Sequence, residues 1–151
     1  MDVFYYWKDI NEDLKTKRIG YFRSNLDRLK EFQDGSPDLI WVFKTPRGLK
    51  GQVQLHASLR WTDSPVGPVL RRAGESYMYY DPMHPDSAMF TDSSTPGAID
   101  EATAWVKHHF PSAITGNFQG LNGQHAMRGA AVGELRRMAS SLAREPFPAL
   151  K

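Results

Sequence analysis

The chain has 151 residues, 40% hydrophobic and 24% charged, with 12 Gly, 10 Pro, no Cys and a formal net charge of +2. That length suits one domain able to bury roughly two-thirds of the surface its unfolded chain exposes. The missing cysteines exclude a disulfide scaffold, a thiolate zinc site, an iron–sulfur cluster and a cysteine nucleophile.

Val3-Phe4-Tyr5-Tyr6-Trp7 is short, aromatic and bounded by charge, which predicts a first strand. Asp9 stands three residues before Glu12, the spacing of a capping box, and opens a helix from Ile10 to about Lys17. Ile19 to Phe22 reads as extended. Ser24 and Asp27 repeat the capping spacing ahead of the helical stripe Leu26, Leu29 and Phe32, which Gly35 and Pro37 end. Leu39-Ile40-Trp41-Val42-Phe43 is apolar throughout and too short for a buried helix, so a central strand covered on both faces is expected.

After the turn at 45–51, Val53, Leu55, Ala57, Leu59 and Trp61 alternate with Gln52, Gln54, His56, Ser58 and Arg60. This predicts one long strand with a buried and a polar face, antiparallel to the strand before it. Short strands are expected at Val69-Leu70 and from Ser76 to Tyr80, with a polar loop from Asp81 to Ser94. Thr95-Pro96 opens a helix carrying Ile99, Ala102, Val106 and His109 on one side, and Pro111 stops it. A last helix is expected from Asn122 to about Ala143, striped by Met127, Ala131, Leu135, Met138 and Leu142. Its Gly129 and Gly133 predict a close backbone approach. The whole reads as a single α+β domain over residues 1–151. Its small twisted or barrel-like, mainly antiparallel sheet is flanked by about four helices.

No apolar run is long enough to span a membrane, and Met1–Lys8 lacks the form of a signal peptide, so a cytoplasmic protein is expected. Charge is uneven along the chain. Residues 1–50 hold ten Lys/Arg against eight Asp/Glu, residues 51–100 three against six, and residues 101–151 six against three. Nucleophilic catalysis finds no G-x-S-x-G elbow, and no Gly-rich phosphate loop is present. Asp81, His84 and Asp86 share one loop and offer oxygen and imidazole ligands for a metal-dependent hydrolase or nuclease, although ordinary loop residues read the same way. His108 and His109 diverge on their helix and would not chelate one ion. No catalytic set, resident metal or cofactor is assigned.

Two segments offer binding chemistry. The turn after the central strand carries Lys44, Arg47 and Lys50, while Arg18 and Arg23 flank the extended 19–22 segment. Such cations contact phosphates and nearby aromatics stack bases, with Trp7 and Tyr80 available; a merely solvated loop is the competing reading. The segment 116–125 carries Asn117, Gln119, Asn122 and Gln124, whose amides suit base edges or a small polar ligand, or simply cap the next helix.

Phe4-Tyr5-Tyr6-Trp7-Lys8 leading into a short helix, then Arg18–Ser24, the Ile40–Phe43 strand and the Gly51–Trp61 strand, resembles the PUA-like group, particularly EVE- and YTH-type domains. The resemblance covers about 60 residues. It implies a small barrel-like sheet flanked by helices and recognition of nucleic acid or a modified base in an aromatic pocket, which Trp7, Trp41 or Trp61 could line. A non-enzymatic nucleic-acid-binding module is therefore the leading expectation. A protein-interaction domain, homodimeric through the Gly129/Gly133 face or the aromatic first strand, is a further alternative.

Overall fold

Burial of the aromatic strands on two faces sets the architecture. The computed structural model describes residues 1–147, in which eight strands form one curled sheet, a half-barrel, with five α-helices packed around it in a single α+β domain. The strands are β1 (Asp2–Tyr6), β2 (Tyr21–Ser24), β3 (Leu39–Lys44), β4 (Gln54–Thr62), β5 (Ser76–Asp81), β6 (Ala88–Phe90), β7 (Gln124–Met127) and β8 (Arg144–Pro146). The helices are α1 (Ile10–Lys15), α2 (Leu26–Gly35), α3 (Pro96–His109), α4 (Pro111–Thr115) and α5 (Ala130–Ser140). Strand order is β2-β5-β4-β3-β1-β7, with β6 on β4 and β8 on β6. The β1–β3 pair is parallel because α1, β2 and α2 carry the chain back between them; the other pairs are antiparallel. Among the described residues no helix is long and apolar enough to cross a membrane.

The strand expected at the centre is there: β3 lies between β1 and β4, and its apolar residues feed both faces. Val3, Tyr5, Trp7, Ile40, Val42, Leu59, Met78 and Tyr80 pack on the inner face, capped by Leu29 and Phe32 of α2. Tyr5 of β1 and Phe22 of β2 stack at 4.4 Å across this interior although their strands are far apart in the sheet order, which is the direct measure of the curl. On the outer face Phe4, Trp41, Phe43, Leu55 and Phe90 meet Trp105 and Val106 of α3 and Leu135 and Met138 of α5. Thr95 caps α3 as its sequence predicts, accepting from Ala98 N–H at 3.2 Å.

Elsewhere the structure corrects the sequence reading. The odd-numbered residues of β4 do not share a face. Val42 pairs with Ala57 but Phe43 with Leu55, a bulge that leaves His56 as the extra residue and sends Val53 and Leu55 outward while Ala57, Leu59 and Trp61 point inward. Residues 120–127 are not the start of the last helix: Gly120–Gly123 form a 3-10 turn and Gln124–Met127 add strand β7 to β1, because β1 needs a second ladder partner. Asp9 makes no capping bond, and Asn25 rather than Ser24 caps α2. Val69-Leu70 is irregular, and the supposed loop at 81–94 contains β6. Among the described residues a Cβ at Gly129 or Gly133 would meet nothing within 4 Å, so none of them approaches closely there. The aromatic β1 is paired on both sides, leaving it no free edge for a second copy.

Candidate functional site

The curl brings β2 and β7, the ends of the strand order, face to face beside the carboxyl end of β1. They are joined there by side chains: Gln124 Oε1 accepts from Ser24 Oγ at 2.9 Å and from Asn25 N–H at 3.4 Å. A cleft of about 540 Å³ opens along this seam.

One wall is aromatic. The Tyr6 ring stacks on Phe118 at 4.1 Å and 8°. Phe118 (φ 55°) follows Asn117 (φ 51°), both left-handed. Asn tolerates that region, but a bulky residue there costs roughly 1–2 kcal/mol. The Phe118 N–H bond to Ala113 O at 2.8 Å and the Tyr6 stack offset the cost. Backbone strain held in place in this way clusters at functional sites. Tyr5 donates its hydroxyl to Arg23 O at 3.1 Å, and burial pushes its phenol well up, so it stays a donor.

The polar groups are nearly balanced in charge. Arg23, whose side chain is 46% exposed, pairs with Asp9 and lies 3.3 Å from Glu75 Oε2. Burial alone would raise the Glu75 carboxyl, but hydrogen bonds from Tyr77 and Arg18 hold it below the usual range. Lys8 Nζ donates to Gln119 Oε1 at 2.9 Å. The cleft therefore offers a flat apolar wall and directed donors and acceptors rather than a field of one sign. Positive charge gathers next door. A second cleft, about 490 Å³, is lined by Lys44, Thr45, Arg47 and Gln54 against Ile10 and Asn11, and a hydrogen bond between the Tyr6 and Thr45 hydroxyls (2.6 Å) joins a residue of each cleft.

Of the residues expected from sequence, Arg23 and Gln124 line the seam cleft and Gln119 joins it through Lys8. Lys44 and Arg47 line the second cleft, and Lys50 is exposed on the same turn. Asn117 is exposed ahead of Phe118, while Asn122 packs so closely on Gly116 that a Cβ there has no room. Three others are not available for contact. Trp7 is 1% exposed, its indole N–H bonded to Asp13 Oδ2 at 2.7 Å. Arg18 is 3% exposed and holds Tyr21 OH, Leu70 O and Glu75 Oε1, tying the irregular 63–75 segment to β2. Tyr80 is fully buried, with no hydrogen-bond partner for its hydroxyl among the described residues. Trp41 and Trp61 are likewise core.

The loop at 81–86 uses its own groups. Asp81 Oδ1 accepts from Met83 N–H and His84 Nδ1 from Asp86 N–H, each at 3.0 Å. Among the described residues no three ligating side chains come together for a metal ion. Sequence reasoning passed over Tyr5, Tyr6, Phe118, Ser24 and Asn25. Their local signal is faint: a Tyr-Tyr pair at a strand end, and an Asn-Phe pair among glycines. Comparison of the chain with protein-family models, with curated proteins and with solved structures finds no match.

Proposed function

We propose that this protein is a non-enzymatic binding module for nucleic acid that takes one base into the seam cleft, with a modified base as a candidate ligand. The observation that carries the reading is adjacency: a stacked aromatic wall and directed polar groups lie one side chain away from the basic turn. A base would lie against the half-buried Tyr6, whose ring the buried Phe118 backs, with Arg23, Asn25 and Gln124 as edge partners. The neighbouring phosphates would follow Lys44, Arg47 and Lys50. A cytoplasmic location, where nucleic acid is the abundant polyanion, suits this assignment.

The test is titration of labelled single- and double-stranded oligonucleotides, with and without modified bases, at low and physiological salt. Saturable binding weakened by Tyr6→Ala, with a salt slope reduced by Lys44→Gln or Arg47→Gln, is expected; Tyr6→Ala is compared with wild type by circular dichroism first. Absence of saturable binding to every oligonucleotide at low salt would overturn it.

A further inference from the structure

A third cavity, about 490 Å³, opens on the outer face of the sheet, at the end of β3 and β4 remote from the seam cleft. Its floor is Leu39, Trp41, Phe90 and Leu142, and Arg60, Arg136 and Arg144 stand around it. The three cations come from β4, α5 and β8, so no local pattern in the sequence groups them.

Two carboxylates also line the cavity, and both are spoken for weakly. Asp38 lies 3.6 Å from Arg60 with both side chains more than a third exposed, a geometry that water screens. Asp86 turns towards His84 in its own loop, 3.8 Å from Nδ1. Arg136 is held differently. Its guanidinium lies 3.5 Å from Asp2 Oδ2, and Asp2 is 1% exposed. The same carboxylate accepts from Trp41 Nε1 at 2.9 Å and from Leu39 N–H at 3.3 Å. One buried anion thus anchors a wall and the floor of the cavity together, while Arg136 remains 55% exposed and keeps donors for an incoming group.

We infer that this cavity is a second ligand site, for a small phosphate-bearing aromatic molecule of the nucleoside monophosphate class. Formal charge balances once Asp2 is counted with Asp38 and Asp86, so recognition rests on the forked donors of three guanidiniums, which match phosphate oxygens. The half-buried Leu39 and Leu142, backed by the buried Trp41 and Phe90, form an apolar floor that would lie idle under a bare phosphate but accepts a planar ring. The volume falls in the range of small-ligand sites. Nothing in this assignment depends on the seam cleft.

The test is titration of isotope-labelled protein with adenosine monophosphate, inorganic phosphate and adenosine, following the Trp41 indole and the Ser58 and Ala139 amides. Adenosine monophosphate saturates these signals, inorganic phosphate moves them more weakly, and adenosine binds at least about tenfold less tightly than its monophosphate. The double variant Arg60→Gln/Arg144→Gln, both at the surface, keeps the remaining spectrum and weakens adenosine monophosphate about tenfold or more. An oligonucleotide with a terminal phosphate, compared with its hydroxyl-ended form, separates the two sources of the group. Matching shifts only for the phosphorylated form assign the site to strand ends, and shifts for the mononucleotide alone assign it to free nucleotides. Failure of both phosphate probes to give saturable shifts at these positions at millimolar concentration overturns the assignment. So does undiminished binding by the double variant, or adenosine binding as tightly as its monophosphate.

Discussion

Replacing His56 with glutamine should flatten the acid limb of the stability curve. His56 is the extra residue of the β4 bulge, facing the interior 6.2 Å from the Trp7 ring, and burial together with the Lys44 charge lowers its pKa from 6.5 to about 4. The unfolded chain therefore binds a proton below pH 6.5 that the native imidazole refuses until about pH 4. Stability from this site is complete above pH 6.5 and is lost as pH falls towards 4. A difference of about 2.5 units at about 1.36 kcal/mol each amounts to roughly 3 kcal/mol, a large share of a typical domain's total. Urea unfolding followed by tryptophan fluorescence, at neutral pH and at several steps down to about pH 4, gives the curve for each protein. Carboxylate titrations are common to wild type and His56→Gln, so the difference between the curves isolates the imidazole. The variant should lose roughly 3 kcal/mol less than wild type over that window. Parallel curves would refute the assignment of His56 as a half-buried side chain that stays neutral.

Arg18→Met removes a buried cation and its bonds to Leu70 and Glu75, while Glu75 keeps Arg23 and Tyr77, so a loss of about 2 kcal/mol is expected, with faster amide exchange across 63–75; unchanged exchange there would deny its tethering role. Gln124→Ala takes the shared acceptor from Ser24 and Asn25 and should cost about 1 kcal/mol in urea unfolding, whereas Gln124→Glu, which keeps an acceptor, should restore most of it. Tyr80→Phe deletes a buried hydroxyl that has no partner among the described residues, so its unfolding midpoint should hold or rise, by up to about 2 kcal/mol in stability. A clear loss in that variant would mean that the hydroxyl is satisfied.

Features written within one turn of chain were legible beforehand. The Thr95-Pro96 helix start, the apolar β3 and its antiparallel partner follow from side-chain chemistry over a few residues. The β4 bulge was not, because alternation in sequence is blind to an inserted residue: the same odd-numbered apolar set serves one flat face or two faces of a kinked strand. Arg18 was misjudged for a related reason. Nothing around it in the chain reveals Glu75, which supplies its partner from across the sheet. Gln124 sits among glycines and amides that read as a cap, and its strand exists only because β1 has an unpaired edge to offer. The clefts themselves are products of curvature, which brings together Tyr6, Phe118, Arg23 and Gln124 from four separate segments. Residue types at 23, 44, 47, 119 and 124 pointed to the two clefts that the curl forms, while their aromatic wall has no comparable signal.

At the seam, the two margins of the sheet meet through one glutamine oxygen rather than through a ladder. A ladder would fix the gap to a single spacing for its whole length. A side-chain hinge lets the gap be set by the size of one residue, with the hydrophobic layers on either side of the sheet left as they are. A designer seeking a wider or narrower slot therefore has positions 24, 25 and 124 to vary.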